Sequence, residues 1–153
     1  MILLKIWIIT PGEGKSVSNL IIVGDADALI ALALENDPNH KKAQQVVKKL
    51  KAKSATIIFP VTVFPEAITS LKRAANQPAK AHFLNRQYLR GAFQVEYINE
   101  EITKKASEIF DSTKSKQNTF FDAIVAATAQ KLEADAIFSF DQWYPKLGFK
   151  LAS

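Results

Sequence analysis

From residue 20 onward, short apolar runs alternate with segments whose apolar residues recur at helical spacing. Residues 20–23 (LIIV) read as a buried strand that Gly24 and Asp25 interrupt, and 28–34 (ALIALAL) read as a buried helix. Asp37 followed by Pro38 predicts a cap and a first-turn proline. Beyond them Ala43, Val46, Val47 and Leu50 recur every three or four residues along one face of an amphipathic helix. Residues 56–59 are β-branched and aromatic, as a strand requires, and 62–75 follow as a helix that tolerates Pro65 in its first turn. Next come a helix over 79–89, a strand over 93–98, and a helix over 100–110 that turns Ile102, Ala106, Ile109 and Phe110 inward. Thr119 opens a further helix through Leu132, 136–140 (AIFSF) form a strand, and 149–151 a last short one. Strands alternating with helices predict an α/β fold, a three-layer α/β/α sandwich around a mostly parallel sheet.

The first 19 residues stand apart from this rhythm as an N-terminal extension. Residues 1–10 (MILLKIWIIT) are apolar but about half the length of a membrane span, and they lack the flanks of a signal peptide. The expectation is therefore a cytoplasmic protein with no membrane association. The turn residues Pro11, Gly12, Glu13 and Gly14 predict a hairpin between 3–10 and 17–23; the alternative is a chain that properly starts near Leu20. Gly14-Lys15-Ser16 is not a phosphate-binding loop, because Ile9 stands where that loop needs glycine and a strand follows instead of a helix. Residues 20–153 then form a single domain, a size ample for one hydrophobic core.

Composition narrows the chemistry. There is no cysteine, which excludes disulfides, thiolate metal sites and a thiol nucleophile. The two histidines, His40 and His82, lie far apart in the sequence, and no G-x-S-x-G nucleophile elbow occurs, which argues against acyl transfer. The net charge of +5 favours an anionic partner, nucleic acid first. Between Pro38 and Pro65 stand six lysines and no acidic residue, a local charge of +6. Lys48 and Lys49 belong to this run, which is either a solvated helix face or an RNA-facing surface.

Four carboxylates sit in apolar surroundings. Asp25 follows IIVG, Glu66 follows FPVTVFP, Asp122 lies within TFFDAIVAATA, and Asp141 follows AIFSF. No Lys or Arg lies within five positions of Asp25 or Asp122. Burying unpaired carboxylates costs several kcal/mol each, at least roughly, so four of them demand partners. A divalent cation meets that demand, and ligation by oxygen without His or Cys points to Mg²⁺ or Mn²⁺. In an open parallel sheet, sites form at the carboxyl ends of strands, where Asp25 and Asp141 fall directly and Glu66 after a short connection. Each residue also has a structural explanation. Asp25 or Asp27 caps the first helix, Glu66 complements a helix dipole, Thr119 to Asp122 fits a capping box, and Asp141 serves a turn. Asp27 is thus either a cap or an additional ligand.

The ordered set IIVGDADALIAL, FPVTVFPEAITSL, FFDAIVAATAQ and IFSFD resembles the PIN-domain ribonucleases, most closely the VapC-like toxins of toxin-antitoxin pairs, over residues 20–151. The resemblance matches Asp25, Glu66, Asp122 and Asp141 to that family's four acidic positions, and Ser139 to a hydroxyl that supports the metal site. It departs at Gly24, at Ala26 where threonine is frequent, and in the first 19 residues. It implies a metal-dependent endoribonuclease leaving 5′-phosphate and 3′-hydroxyl ends, a homodimer, and inhibition by a small antitoxin. In such a site a metal-activated water attacks the phosphodiester, so no protein nucleophile is needed. Arg73, seven residues after Glu66 and on the same helix face, is a candidate to hold the scissile strand. Two alternatives stand beside this one. One is a PIN-like module that binds RNA or protein without cutting. The other is a haloacid-dehalogenase-like phosphatase with Asp25 as nucleophile and Asp27 as acid, although Ala28-Leu29 replaces the Gly-Thr expected there.

Overall fold

The computed structural model describes residues 20–153, and the expected N-terminal hairpin lies outside the described residues. Four strands form one sheet: β1 (Ile21–Gly24), β2 (Thr56–Pro60), β3 (Gln94–Glu96) and β4 (Ala136–Phe138). Their order is β3-β2-β1-β4, and every pairing is parallel. Parallel strands need crossovers, which here are helices. Between β1 and β2 lie α1 (Ala26–Ala33) and α2 (His40–Ala52), and between β2 and β3 lie α3 (Val63–Arg73) and α4 (Pro78–Leu89). From β3 the chain crosses through α5 (Glu100–Ser112) and α6 (Phe120–Lys131) to reach β4 on the far side of β1, and the single turn α7 (Trp143–Lys146) follows. Helix α1 packs on α2 and α3, and α3 on α4, while α5 packs on α6 and α6 on the sheet. The result is the expected three-layer α/β/α sandwich. Among the described residues, no helix is long and apolar enough to cross a membrane.

The sheet is covered on both faces, and β1, β2 and β4 read accordingly as near-continuous apolar runs, while the edge strand β3 (QVE) does not. Ile22, Val23, Ile57, Phe59, Ile137 and Phe138 are buried along it. Helix α6 is buried at every position from Ala123 to Ala129, and its alanines let the helix backbone approach closely. An aromatic cluster closes the far side of β2: Phe64 stacks on Tyr88 at 4.3 Å between centroids, and Phe59 meets Phe93 edge-on at 5.7 Å.

Several boundaries differ from the sequence reading, each for a local reason. Helix α1 starts at Ala26, two residues early, because the Asp25 carboxylate accepts the Ala26 N–H and caps it. Asp37 is not the cap of α2. Its carboxylate binds the Asn39 N–H at 2.7 Å in a turn, and the helix begins only at His40. Strand β3 is confined to 94–96. Strand β4 stops at Phe138 and not at Phe140, where side chains described below occupy the Phe140 and Asp141 N–H groups. Residues 149–151 contribute a single parallel bridge from Leu151 to Ile137. The turn read after Asp141 winds into α7.

Gly24 is part of β1 and does not interrupt it. It is the neighbour of Phe59 across the sheet, and a Cβ there would overlap the Phe59 ring, standing 2.7 Å from Cζ. The ring is 1% exposed and is packed against Phe64 and Phe93, so it has nowhere to move. Gly24→Ala should therefore destabilise the protein by about 1–3 kcal/mol through overpacking. Urea denaturation should recover part of that loss when Phe59→Leu is added.

Candidate active site

The strand order reverses between β1 and β4, so the crevice at their carboxyl ends is a topological switch point. Gly24 pairs with Phe138, and the Asp25 N–H donates to the Phe138 carbonyl at 3.0 Å, which sets Asp25 beside the chain leaving β4. Asp25 is 5% exposed. Its Oδ1 accepts the Ala26 N–H at 2.6 Å, and its Oδ2 accepts the Tyr144 hydroxyl at 2.7 Å and the Ser139 hydroxyl at 3.1 Å. Capping a helix and joining a carboxylate cluster are therefore compatible roles for one side chain.

Asp27 is not a helix cap. Its Oδ2 accepts the Phe140 N–H at 2.7 Å and the Ser139 hydroxyl at 2.8 Å, tying the first turn of α1 to the end of β4. The Ser139 hydroxyl has one proton for two carboxylates, and its oxygen also accepts the Asp141 N–H at 3.1 Å. Asp141 in turn accepts the Trp143 N–H at 2.8 Å and the Asn118 amide at 3.0 Å, so it serves a turn while bordering the site. Asp122 reaches back to Thr119, accepting its N–H at 2.6 Å in a capping box. Glu66 rises from the first turn of α3, and its Oε2 is buried without a partner, as are Asp27 Oδ1 and Thr62 Oγ1.

Each of these carboxyls also feels the charge of another. Burial pushes the Asp25 carboxyl well above the usual carboxylate range, and the charges of Asp27 and Asp122 add to it, against the Tyr144 hydrogen bond. Burial raises Asp27 and Asp122 as well, each with a contribution from Asp141. Glu66 is pushed up to about 7 by burial, then by Asp122 and Asp27. Five carboxylates thus repel one another across a single crevice, and none of them has an ion pair among the described residues.

This donor set fits a hard divalent cation. It is all oxygen, it is electrostatically overloaded, and two of its carboxylate oxygens are buried with no other partner. Among the described residues no three acidic or His side chains already close into a cage. Mg²⁺ does not require one, since it keeps several waters and is held by one or two carboxylates. An open groove of about 530 Å³ between α5 and α6 lies elsewhere, is lined by charges of both signs such as Glu101 and Lys131, and includes none of these carboxylates.

The candidate basic residues are less concentrated. Helix α3 starts at the site edge and runs away from it, which leaves exposed Arg73 about 10 Å along the axis from Glu66. Helix α2 leads to the amino-terminal end of β2, opposite the strand ends that carry the carboxylates, and Lys48 and Lys49 are exposed in its second half. Lys42, near its start, is closer to the carboxylates: its Nζ lies 5.5 Å from the centre of the Phe140 ring, and the Phe140 N–H is the one bound to Asp27. Two contributors escaped the sequence reading, Tyr144 and Asn118. The only signal for Tyr144 was its place three residues after Asp141, and Asn118 had none beyond its adjacency to a capping threonine.

Residues 22–150 match the family model of the PIN domain, and the chain belongs to that family. Its fold is VapC-like: it is similar to the crystal structure of VapC20 of Mycobacterium tuberculosis, a Sarcin-Ricin loop cleaving toxin, with a TM-score of 0.73 and 21% identity over 84% of this chain and 95% of that one. A toxin-antitoxin complex from Klebsiella pneumoniae gives a TM-score of 0.52 and 18% identity over 78% of this chain and 86% of that one. No curated protein matches the sequence significantly.

The raised carboxyls give the metal-free protein a definite pH dependence. The Glu66 value is 4.5 in an unstructured chain and about 7 in the folded one. Between those values the folded state holds a proton that the unfolded state has released, so stability rises as pH falls through this window. In chelator, the denaturation midpoint should be higher at about pH 5.5 than at about pH 8, and Glu66→Gln should remove part of the difference. A midpoint that falls on acidification over this range contradicts the repulsion described here.

Proposed function

We propose that the protein is a Mg²⁺- or Mn²⁺-dependent endoribonuclease, the toxin of a toxin-antitoxin pair, that hydrolyses RNA phosphodiester bonds. The observation that carries this reading is the convergence of Asp25, Asp27, Glu66, Asp122 and Asp141 at one strand-end crevice, unpaired with any cation and with unsatisfied oxygens. Membership of the PIN-domain family and the fold likeness to an RNA-cleaving toxin support it. The likeness to a toxin-antitoxin complex supports a small protein antitoxin as partner. A cytoplasmic, homodimeric state is part of the same proposal.

The chain's own residues have distinct tasks in this scheme. Asp25, Glu66 and Asp122 would present the carboxylate oxygens that hold the ion, with Asp141 and Asp27 bordering them. Ser139 bridges Asp25 and Asp27 by sharing its hydroxyl between them. When bound, the ion supplies a Lewis acid that lowers the pKa of an attacking water and screens the phosphate. No side chain needs to act as nucleophile. Asp25 is ill placed for the phosphatase alternative, being nearly inaccessible and already the acceptor of three hydrogen bonds.

An acidic crevice repels RNA, so substrate must be drawn in by cations nearby. Lys42 is the lysine best placed for this, with Lys48, Lys49 and Arg73 as more distant contributors.

Labelled single-stranded RNA should be cleaved with Mg²⁺ or Mn²⁺ and left intact in chelator, while a small phosphomonoester is not hydrolysed. Asp25→Asn and Asp122→Asn should each lower cleavage by more than the roughly 10- to 100-fold that loss of an outer-shell partner costs at a metal site. Full activity in either variant rejects the metal-nuclease reading, and wild-type binding without cleavage selects the non-catalytic module.

Binding separates from chemistry in the lysines. Lys42→Ala should reduce the slope of log affinity for RNA against log salt by about 0.7 and raise KM with little change in kcat. Lys48→Ala with Lys49→Ala should move the slope less than two full phosphate contacts require. The reverse ranking would place the RNA path along the outer half of α2.

A further inference from the structure

We propose that Tyr144 is a positioning residue of the carboxylate site, whose buried hydroxyl acts with that of Ser139 to lock Asp25 in the one orientation that receives a divalent cation. The inference rests on the metal-nuclease reading above and extends it to a residue that lies outside the acidic set.

Tyr144 sits in the single turn α7, and none of its surface is exposed. Its ring packs at 5.4 Å from that of Trp143, so a phenylalanine would fill the same space. Burying a hydroxyl without a partner costs free energy, and this one spends its proton on Asp25 Oδ2 at 2.7 Å. What the tyrosine adds over a phenylalanine is therefore that bond. It is also a contact between residues 119 positions apart, joining the segment after β4 to the end of β1.

The geometry at Asp25 makes the consequence specific. A carboxylate offers about four acceptor positions. Three are taken, one on Oδ1 by the Ala26 N–H and two on Oδ2 by Tyr144 and Ser139. Both oxygens are thus pinned, rotation of the group is blocked, and one acceptor position remains for a cation. The Ser139 proton is shared with Asp27, at the shorter distance of 2.8 Å, so the Tyr144 bond is the undivided one. Without it Asp25 Oδ2 keeps only the half-claimed serine, and the carboxylate is free to turn. Outer-shell partners of this kind typically contribute 10- to 100-fold to metal affinity.

The test is Mn²⁺ binding to the purified full chain by calorimetry, with no RNA present. Tyr144→Phe should raise the Mn²⁺ Kd by about 10-fold or more while leaving the far-ultraviolet circular dichroism unchanged. RNA cleavage by this variant should fall at low Mn²⁺ and return at saturating Mn²⁺. Tyr88→Phe, which removes a phenol hydroxyl from the Phe64 stack, should bind Mn²⁺ as the wild type does. A Tyr144→Phe affinity within twofold of wild type overturns the proposal and leaves Tyr144 a packing residue. A wild type that binds no Mn²⁺ overturns the metal reading itself, and so is distinguishable. Should Tyr144→Phe fail to fold, fluorine NMR of the wild type carrying fluorotyrosine at its three tyrosines decides the matter. The resonance left unassigned by Tyr88→Phe and Tyr97→Phe should shift on Mg²⁺ addition, and a resonance unmoved at saturation overturns the proposal.

Discussion

Like charges gathered in a partly buried crevice are the constraint around which this domain is organised. Asp25, Asp27, Glu66, Asp122 and Asp141 come from four different segments, and burial and mutual repulsion raise Asp25, Asp27, Glu66 and Asp122. An ion taken out of water costs several kcal/mol, roughly, even after relaxation. The fold offsets part of this with hydrogen bonds from Ala26, Ser139, Phe140, Thr119 and Tyr144. It leaves the rest uncompensated at Asp27 Oδ1 and Glu66 Oε2. A site whose charged form is this poorly satisfied supports the proposed metal reading independently of family membership.

The same bonds shape the fold. Beyond the end of strand β4 at Phe138, Asp27 and Ser139 take the Phe140 and Asp141 N–H groups, so the site occupies backbone donors that a longer strand would need. Helix α1 starts at Ala26 because Asp25 caps it, and α6 starts at Phe120 because Thr119 and Asp122 cap it reciprocally. Architecture and site therefore use the same side chains. Gly24 belongs to this economy too, since the Phe59 ring needs the space beside the strand that delivers Asp25.

PIN-domain membership and the VapC-like fold give the crevice a context. Tyr144 adds a second hydroxyl on Asp25, and Lys42 sets a cation over Phe140 at the rim. The acidic floor and the basic rim answer different needs. In the proposed nuclease, the floor would hold a small dication, and the rim would offset the repulsion that the floor exerts on a polyanion.

The sequence by itself determined the alternation of strands and helices, the single α/β layer plan and the four acidic residues of the family pattern. It could do so because apolar periodicity encodes which face of an element is buried, and because Asp25 and Asp141 stand beside the strands that present them. The capping box at Thr119 was legible for the same reason, being local. Tertiary structure alone decided which hydroxyls hold Asp25, that Asp27 binds β4 instead of capping α1, and that Lys42 lies nearer the crevice than Lys48 or Lys49. These are contacts between residues 112 to 119 positions apart, or questions of which end of a helix faces the site. Periodicity carries no information about such pairs, because a tyrosine in a one-turn helix reads the same whether its hydroxyl meets solvent or a buried carboxylate.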